Sequence, residues 1–206
     1  MEYYIYHIPL FLVNSVDETI DIPSFCEDVE ELIRPELLQN VEAVYVGEFK
    51  NLNNRNAAYS DGAIYMTCHE PTNFDMVENF IHEVAHSLEP KYGWAIYDQN
   101  LIDEFRGKRT RLYHLLNSAG FHINQSHYSF LEYSEKFDDF LANVVGYPTL
   151  LSLTMGLFAS PYGATSIREY FANGFEKYLL GNPKTVRDVS PVLHRKIEEI
   201  INDDEA

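Results

Sequence analysis

The chain has 206 residues, 46% of them hydrophobic and 23% charged. That is enough apolar material for one domain with a packed core, and it argues against a disordered or fibrous chain. A formal net charge of −17 and a pI near 4.7 argue against nucleic acid and against anionic membranes as partners, since both need a basic surface.

Cys26 and Cys68 make no disulfide framework and fit a reducing compartment. The opening residues Met1-Glu2-Tyr3-Tyr4 carry neither a basic region nor a small-residue cleavage site, so no signal peptide is expected. The expectation is an intracellular protein, or one delivered without a signal peptide, as in a phage particle or an effector.

Tyr3 to Val13 is rich in β-branched and aromatic residues and predicts a strand. Its apolar part, Ile5 to Val13, is too short to span a bilayer and holds His7 and Pro9. Pro23-Ser24 predicts a helix start, with the helix running to about Arg34 before Pro35. Val41 to Phe49 alternates in part and predicts a second strand, Asn51 to Asn56 a polar loop, and Ala63 to Cys68 a third strand after an Asp61-Gly62 turn. Thr72 or Asn73 caps the next helix, whose Val77, Phe80, Ile81, Val84 and Leu88 form one apolar stripe, with Pro90 as its stop.

Beyond Pro90 the chain predicts helices over Asp98 to Ala119, Tyr128 to Val145 and Thr149 to Ala159. Thr165 or Ser166 caps a further helix ending at Gly181-Asn182-Pro183, and Ser190-Pro191 opens a last one to about Asn202 before a frayed tail, Asp203 to Ala206. Strands early and helices late define an α+β class. One domain is expected, with an N-terminal lobe over about 1–92 and a helical C-terminal lobe over about 93–206.

His82-Glu83-Val84-Ala85-His86 is an HExxH motif on the clearest of these helices. Residues four apart stand one turn up the same face, about 6 Å along the axis. Two imidazoles so placed can take one zinc ion, expected at one per chain. Glu83 is rotated by about 100° from His82, where its carboxylate serves a zinc-bound water as base and later hands the proton to a leaving amine.

A catalytic zinc needs a third protein ligand. Metzincins would place Gly at 89 and His at 92, but the chain has Glu89 and Tyr92. A Glu from a later helix is the gluzincin solution, and Glu132, Glu135, Glu169 and Glu176 are the candidates. Glu169 lies in the first turn of a well-marked helix beside Tyr170-Phe171-Ala172. Glu132 and Glu135 share a polar stretch with Asp138 and Asp139. The residues alone leave Glu169 level with the other three together.

Two segments together resemble a known family. Asn79 to Leu88, and Tyr162 to Ala172 reading Tyr-Gly-Ala-Thr-Ser-Ile-Arg-Glu-Tyr-Phe-Ala, are similar to the anthrax lethal factor catalytic domain and the bacterial Pro-Pro endopeptidases. The resemblance covers about forty residues. It implies a zincin-like fold, a small twisted sheet with an active-site helix followed by a mainly helical lobe. It also implies a zinc endopeptidase with protein or peptide substrate, Glu169 as third ligand, and Tyr162, seven residues earlier, as the phenol stabilising an oxyanion. Two departures stand out. The family has a second Glu four residues past the ligand, where this chain has Asn173, and 82 residues separate His86 from Glu169.

Asn173 and Glu89 are the expected outer-shell partners of the ligands. The strand before the motif helix is the expected edge on which a substrate pairs, flanked by Ile64 and Met66. His69-Glu70 is a weak cleft candidate. His7, His69, His114, His122, His127 and His194 lack paired ligand spacing, and Trp94 reads as packing. Cys68 has no evident base for a nucleophile's role. A second function class also fits, namely a zincin-like binding module without catalysis, such as a virion or complex component. A secreted effector is a third.

Overall fold

The alternation of short β-rich runs with capped helical stretches produces a mixed sheet and many helices in the computed structural model, which describes residues 2–52 and 55–203. Part of the expected 51–56 loop and of the expected frayed tail lies outside these residues. The class is α+β. The chain forms two compact units, one built from the chain up to Lys91 and the other from Tyr92–Asn202. Among the described residues, no helix is long and apolar enough to cross a membrane.

The first unit begins with β1 (Tyr3–Ile5) and β2 (Ile8–Leu12), an antiparallel hairpin. The expected single strand is broken at Tyr6, whose φ of 53° is left-handed. The Tyr6 hydroxyl donates to the Glu30 and Ile33 carbonyls at 2.7 and 3.0 Å, which ties this turn to the next helix. That helix, α1 (Ile22–Leu32), is capped by Asp21, which accepts the Ser24 N–H.

Strands β3 (Ala43–Val46), β4 (Ala57–Ser60) and β5 (Ala63–Met66) follow, then helix α2 (Asn73–Ser87). The strand order is β1-β2-β3-β5-β4, with β2, β3 and β5 parallel and the outer pairs antiparallel. Asp61 and Gly62 both have positive φ, the geometry of a tight two-residue hairpin turn between β4 and β5.

Alternation sorts the sheet's two faces. Val44, Val46, Ile64 and Met66 are fully buried, as are Phe25 and Val29 of α1 and Phe80, Ile81 and Val84 of α2. Phe25 meets Phe80 edge to face at 5.7 Å. Phe11, Tyr45 and Tyr65 are in register across three strands and stack at 5.3 and 5.4 Å. Burying the apolar face contributes about 25 cal/mol per Å² removed from water.

β5 is therefore not an edge strand. It lies between β3 and β4, and Ile64 and Met66 have no exposed surface. The edge beside it is β4, whose Ala-Ala-Tyr-Ser sequence carries little strand propensity and was not predicted as a strand. Pro90 does not merely stop α2. It sits in the first turn of α3 (Glu89–Ile96), where a missing N–H costs nothing.

The second unit is helical. α4 (Gln99–Ser118) is capped by Asp98, which accepts the Leu101 N–H at 3.0 Å. The continuous helix predicted over Tyr128 to Val145 is instead a 3-10 turn at Gln125–Tyr128, an irregular stretch, α5 (Glu135–Asp139) and a π-helical segment at Phe140–Gly146. α6 (Tyr147–Thr154) comes next, shorter than the predicted span to Ala159. α7 (Ile167–Leu180), α8 (Pro183–Val189) and α9 (Pro191–Ile201) complete the chain. α7 and α9 touch at Gly174, where a Cβ would lie 2.4 Å from Leu193 Cδ2.

Candidate metal centre

The motif residues sit in the second half of α2. Thr72 accepts the Asp75 N–H at the start of the helix, and Asn40 donates to the Ser87 carbonyl at its end. The apolar stripe holds α2 on the sheet and turns His82 and His86 to its partly open side, with ring centroids 5.1 Å apart. A nitrogen of each lies within 4.8 Å of the other.

Glu83 is buried on the adjoining face. Its Oε2 accepts the backbone N–H of Tyr59 on the edge strand β4 at 2.7 Å. Glu89 stands beside the motif, its Oε1 2.9 Å from His86 Nδ1. That contact orients the His86 ring through Nδ1.

Behind α2, Glu70 is buried and accepts from Asn79 at 2.9 Å and from Asn56 at 3.3 Å. Burial pushes its carboxyl up to about 7, against the lowering effect of Asn79. Glu70 thus ties the middle of α2, at Asn79, to Asn56 ahead of β4.

In the second unit, Ser166 caps α7 by accepting the Glu169 N–H at 3.1 Å, which places Glu169 in the first turn, partly exposed. Tyr170 and Phe171 beside it are buried. Tyr162 opens the 3-10 turn just before this helix. Asn173 is buried, and its side chain bonds to the main chain and to Ser160. Its Nδ2 donates to the Glu169 carbonyl at 2.9 Å and its Oδ1 accepts from Ser160, so it supports the main chain at the start of α7. Glu132 and Glu135 are exposed, and Glu176 is buried beside Lys177.

Sequence reasoning missed the charges that hold this second unit. Arg109 is buried and donates to the Ala164, Thr165, His127 and Phe130 carbonyls, with its guanidinium 4.1 Å from the Phe137 ring centroid. It binds the turn carrying Tyr162 to the 127–130 segment. Burial pulls its pKa down to about 9. Lys108 donates to the Leu157 and Val189 carbonyls at 2.6 Å, and burial pulls it down to about 8.

Glu104 accepts the Tyr170 hydroxyl at 2.9 Å and the Val192 and Leu193 N–H groups at the start of α9. Burial raises the Tyr170 phenol pKa, with the Glu104 charge second. The available signal was periodicity. The apolar stripe Leu101, Phe105, Leu112 and Leu116 passes through positions 108 and 109, so charged residues there had to be buried and paired.

The histidines set aside fall as follows. His7, His114 and His122 are exposed. His194 pairs with Glu198 at 3.3 Å, and His127 packs on Phe137. Trp94 is 84% exposed, so it is not a packing residue. Compared with family models, curated proteins and solved structures, the chain gives no match.

Proposed function

We propose that the protein is a zinc-dependent endopeptidase of the gluzincin type, with His82, His86 and Glu169 as metal ligands, Glu83 as general base and Tyr162 as oxyanion donor. The observation that carries this reading is the α2 geometry: two imidazoles on one helix face, Glu89 on the Nδ1 of one, and the Glu83 carboxylate held on the neighbouring face. Two imidazoles and a carboxylate suit zinc, leaving one coordination position open. Bound zinc would supply Lewis acidity that makes water a nucleophile near neutral pH.

Glu83 then accepts the proton of the attacking water and delivers it to the departing amine. The Tyr59 N–H holds its carboxylate in one rotamer throughout. The Tyr162 phenol donates to the oxygen that gains charge as the peptide carbonyl is attacked. A substrate strand would run along the outer edge of β4, since β5 is enclosed, pairing with edge groups other than the Tyr59 N–H that Glu83 occupies.

The test is peptide-library cleavage by the zinc-loaded chain. Glu83→Gln should lower kcat by on the order of a hundredfold or more without releasing zinc. A Glu83→Gln protein as active as wild type, or a chain that takes up no zinc, overturns the reading. Zinc uptake without cleavage of any peptide would favour the zincin-like binding module, for which Asn173 at the family's Glu position is the motivating departure.

A further inference from the structure

β2, β3 and β5 are adjacent and parallel, so the segments leaving their C-terminal ends emerge side by side. Those segments carry Asp17, Glu48 and the pair Cys68-His69. Backbone bonds lock them together. The Asp17 N–H donates to the Cys68 carbonyl at 3.2 Å and the Gly47 N–H to the Met66 carbonyl at 2.9 Å. The Glu48 N–H donates to Asn14 Oδ1 at 3.0 Å, and the His69 N–H to Thr67 Oγ1 at 3.3 Å. Gly47 allows the close approach, since a Cβ there would lie 2.8 Å from Asn14 Oδ1 and 2.9 Å from Val13 Cβ.

The side chains converge as well. His69 Nδ1 lies 3.1 and 3.2 Å from the two oxygens of Asp17, and Nε2 lies 3.4 Å from Glu48 Oε1. One ligand atom from each of Glu48, Cys68 and His69 lies within 4.8 Å of the others. Cys68 is 1% exposed, whereas His69 and Glu48 open to solvent, so an ion can enter from one side.

We propose that Glu48, Cys68 and His69 form a second metal site, for a divalent ion of the zinc and cobalt class, with Asp17 orienting the imidazole. The donor set decides the class. Thiolate, imidazole and carboxylate together suit borderline metals and do not suit magnesium or calcium, which take oxygen alone. A carboxylate on the far ring nitrogen of a ligating histidine fixes its tautomer and raises its basicity. Three protein ligands leave one coordination position for water or an incoming ligand. The site uses residues of the first unit only and stands whether or not the peptidase reading does.

Cobalt(II) titration of the full chain tests it, because only a thiolate ligand gives an intense near-ultraviolet charge-transfer band. The expected result is that band in wild type, at two cobalt ions per chain if the α2 site also fills and one if it does not. Cys68→Ser should abolish the band and Cys26→Ser should keep it. His82→Ala with His86→Ala should keep the band. Glu48→Gln and Asp17→Asn, both at exposed positions, should weaken the ion giving the band by roughly tenfold or more. They test the site even if Cys68→Ser fails to fold. Absence of the band with cobalt in excess, its survival in Cys68→Ser, or unchanged affinity in both carboxylate variants overturns the proposal.

Discussion

The two units hold their candidate catalytic residues by different means. In the first, the motif helix lies on a sheet whose apolar face is continuous from Val44 to Met66, with single polar contacts at the ends of α2 and at Asn79 and Glu83. In the second, the turn carrying Tyr162 and the helix carrying Glu169 are held by buried charges. Arg109 spans four carbonyls, Lys108 two, and Glu104 takes a phenol and two backbone N–H groups. An apolar core degrades gradually when trimmed. A buried charge that loses its partners, or carbonyls that lose their donor, fail abruptly because each stranded group carries its full desolvation cost.

Three substitutions sharpen that contrast, all read by denaturant unfolding and region-resolved amide exchange. Phe25→Ala removes a fully buried ring from the first unit and should cost about 3–5 kcal/mol. Its exchange protection should fall in β2, β3 and β5. Arg109→Met keeps the length of the stem and removes the donors. About 3 kcal/mol is expected, from several buried carbonyls left without a partner, with protection lost at 127–130 and 162–166. Equal loss across every amide in both variants would erase the distinction between the units.

Asp98→Asn has the smallest effect. Lys196 at 2.9 Å, followed by the Leu101 N–H, holds the Asp98 carboxyl down at about 2 against an ordinary 3.8. A depressed carboxyl contributes stability above its unfolded pKa and loses it as pH falls, here between about 4 and 2. The variant should cost about 1 kcal/mol or less at pH 7. The gap from wild type should narrow from about pH 4 and close only below about pH 2.

The first unit was the more legible of the two. Its HExxH motif, the cap at Thr72 and the stripe on α2 are local patterns, and they fixed helix, face and register together. The order of strands is a long-range property, so the edge was assigned to β5 when the weak strand Ala57–Ser60 takes that place. In the second unit the cap at Ser166 located α7 to within a residue. The span from Tyr128 to Val145 misled because its apolar residues keep helical spacing through a π-helical segment that periodicity does not distinguish. Arg109 escaped notice because composition treats arginine as surface, although its position in the α4 stripe placed it inside.

The hydrogen bond from Tyr59 to Glu83 bears on more than rotamer choice. An unpaired strand edge invites pairing with another molecule, and side-chain caps on its amides are one defence against self-association. On β4 the defender of the Tyr59 amide is the proposed general base itself. Glutamine at position 83 keeps an acceptor for that amide and alanine does not. An alanine variant would therefore leave that edge amide uncapped as well as removing the proposed base, so glutamine is the substitution that separates the two effects.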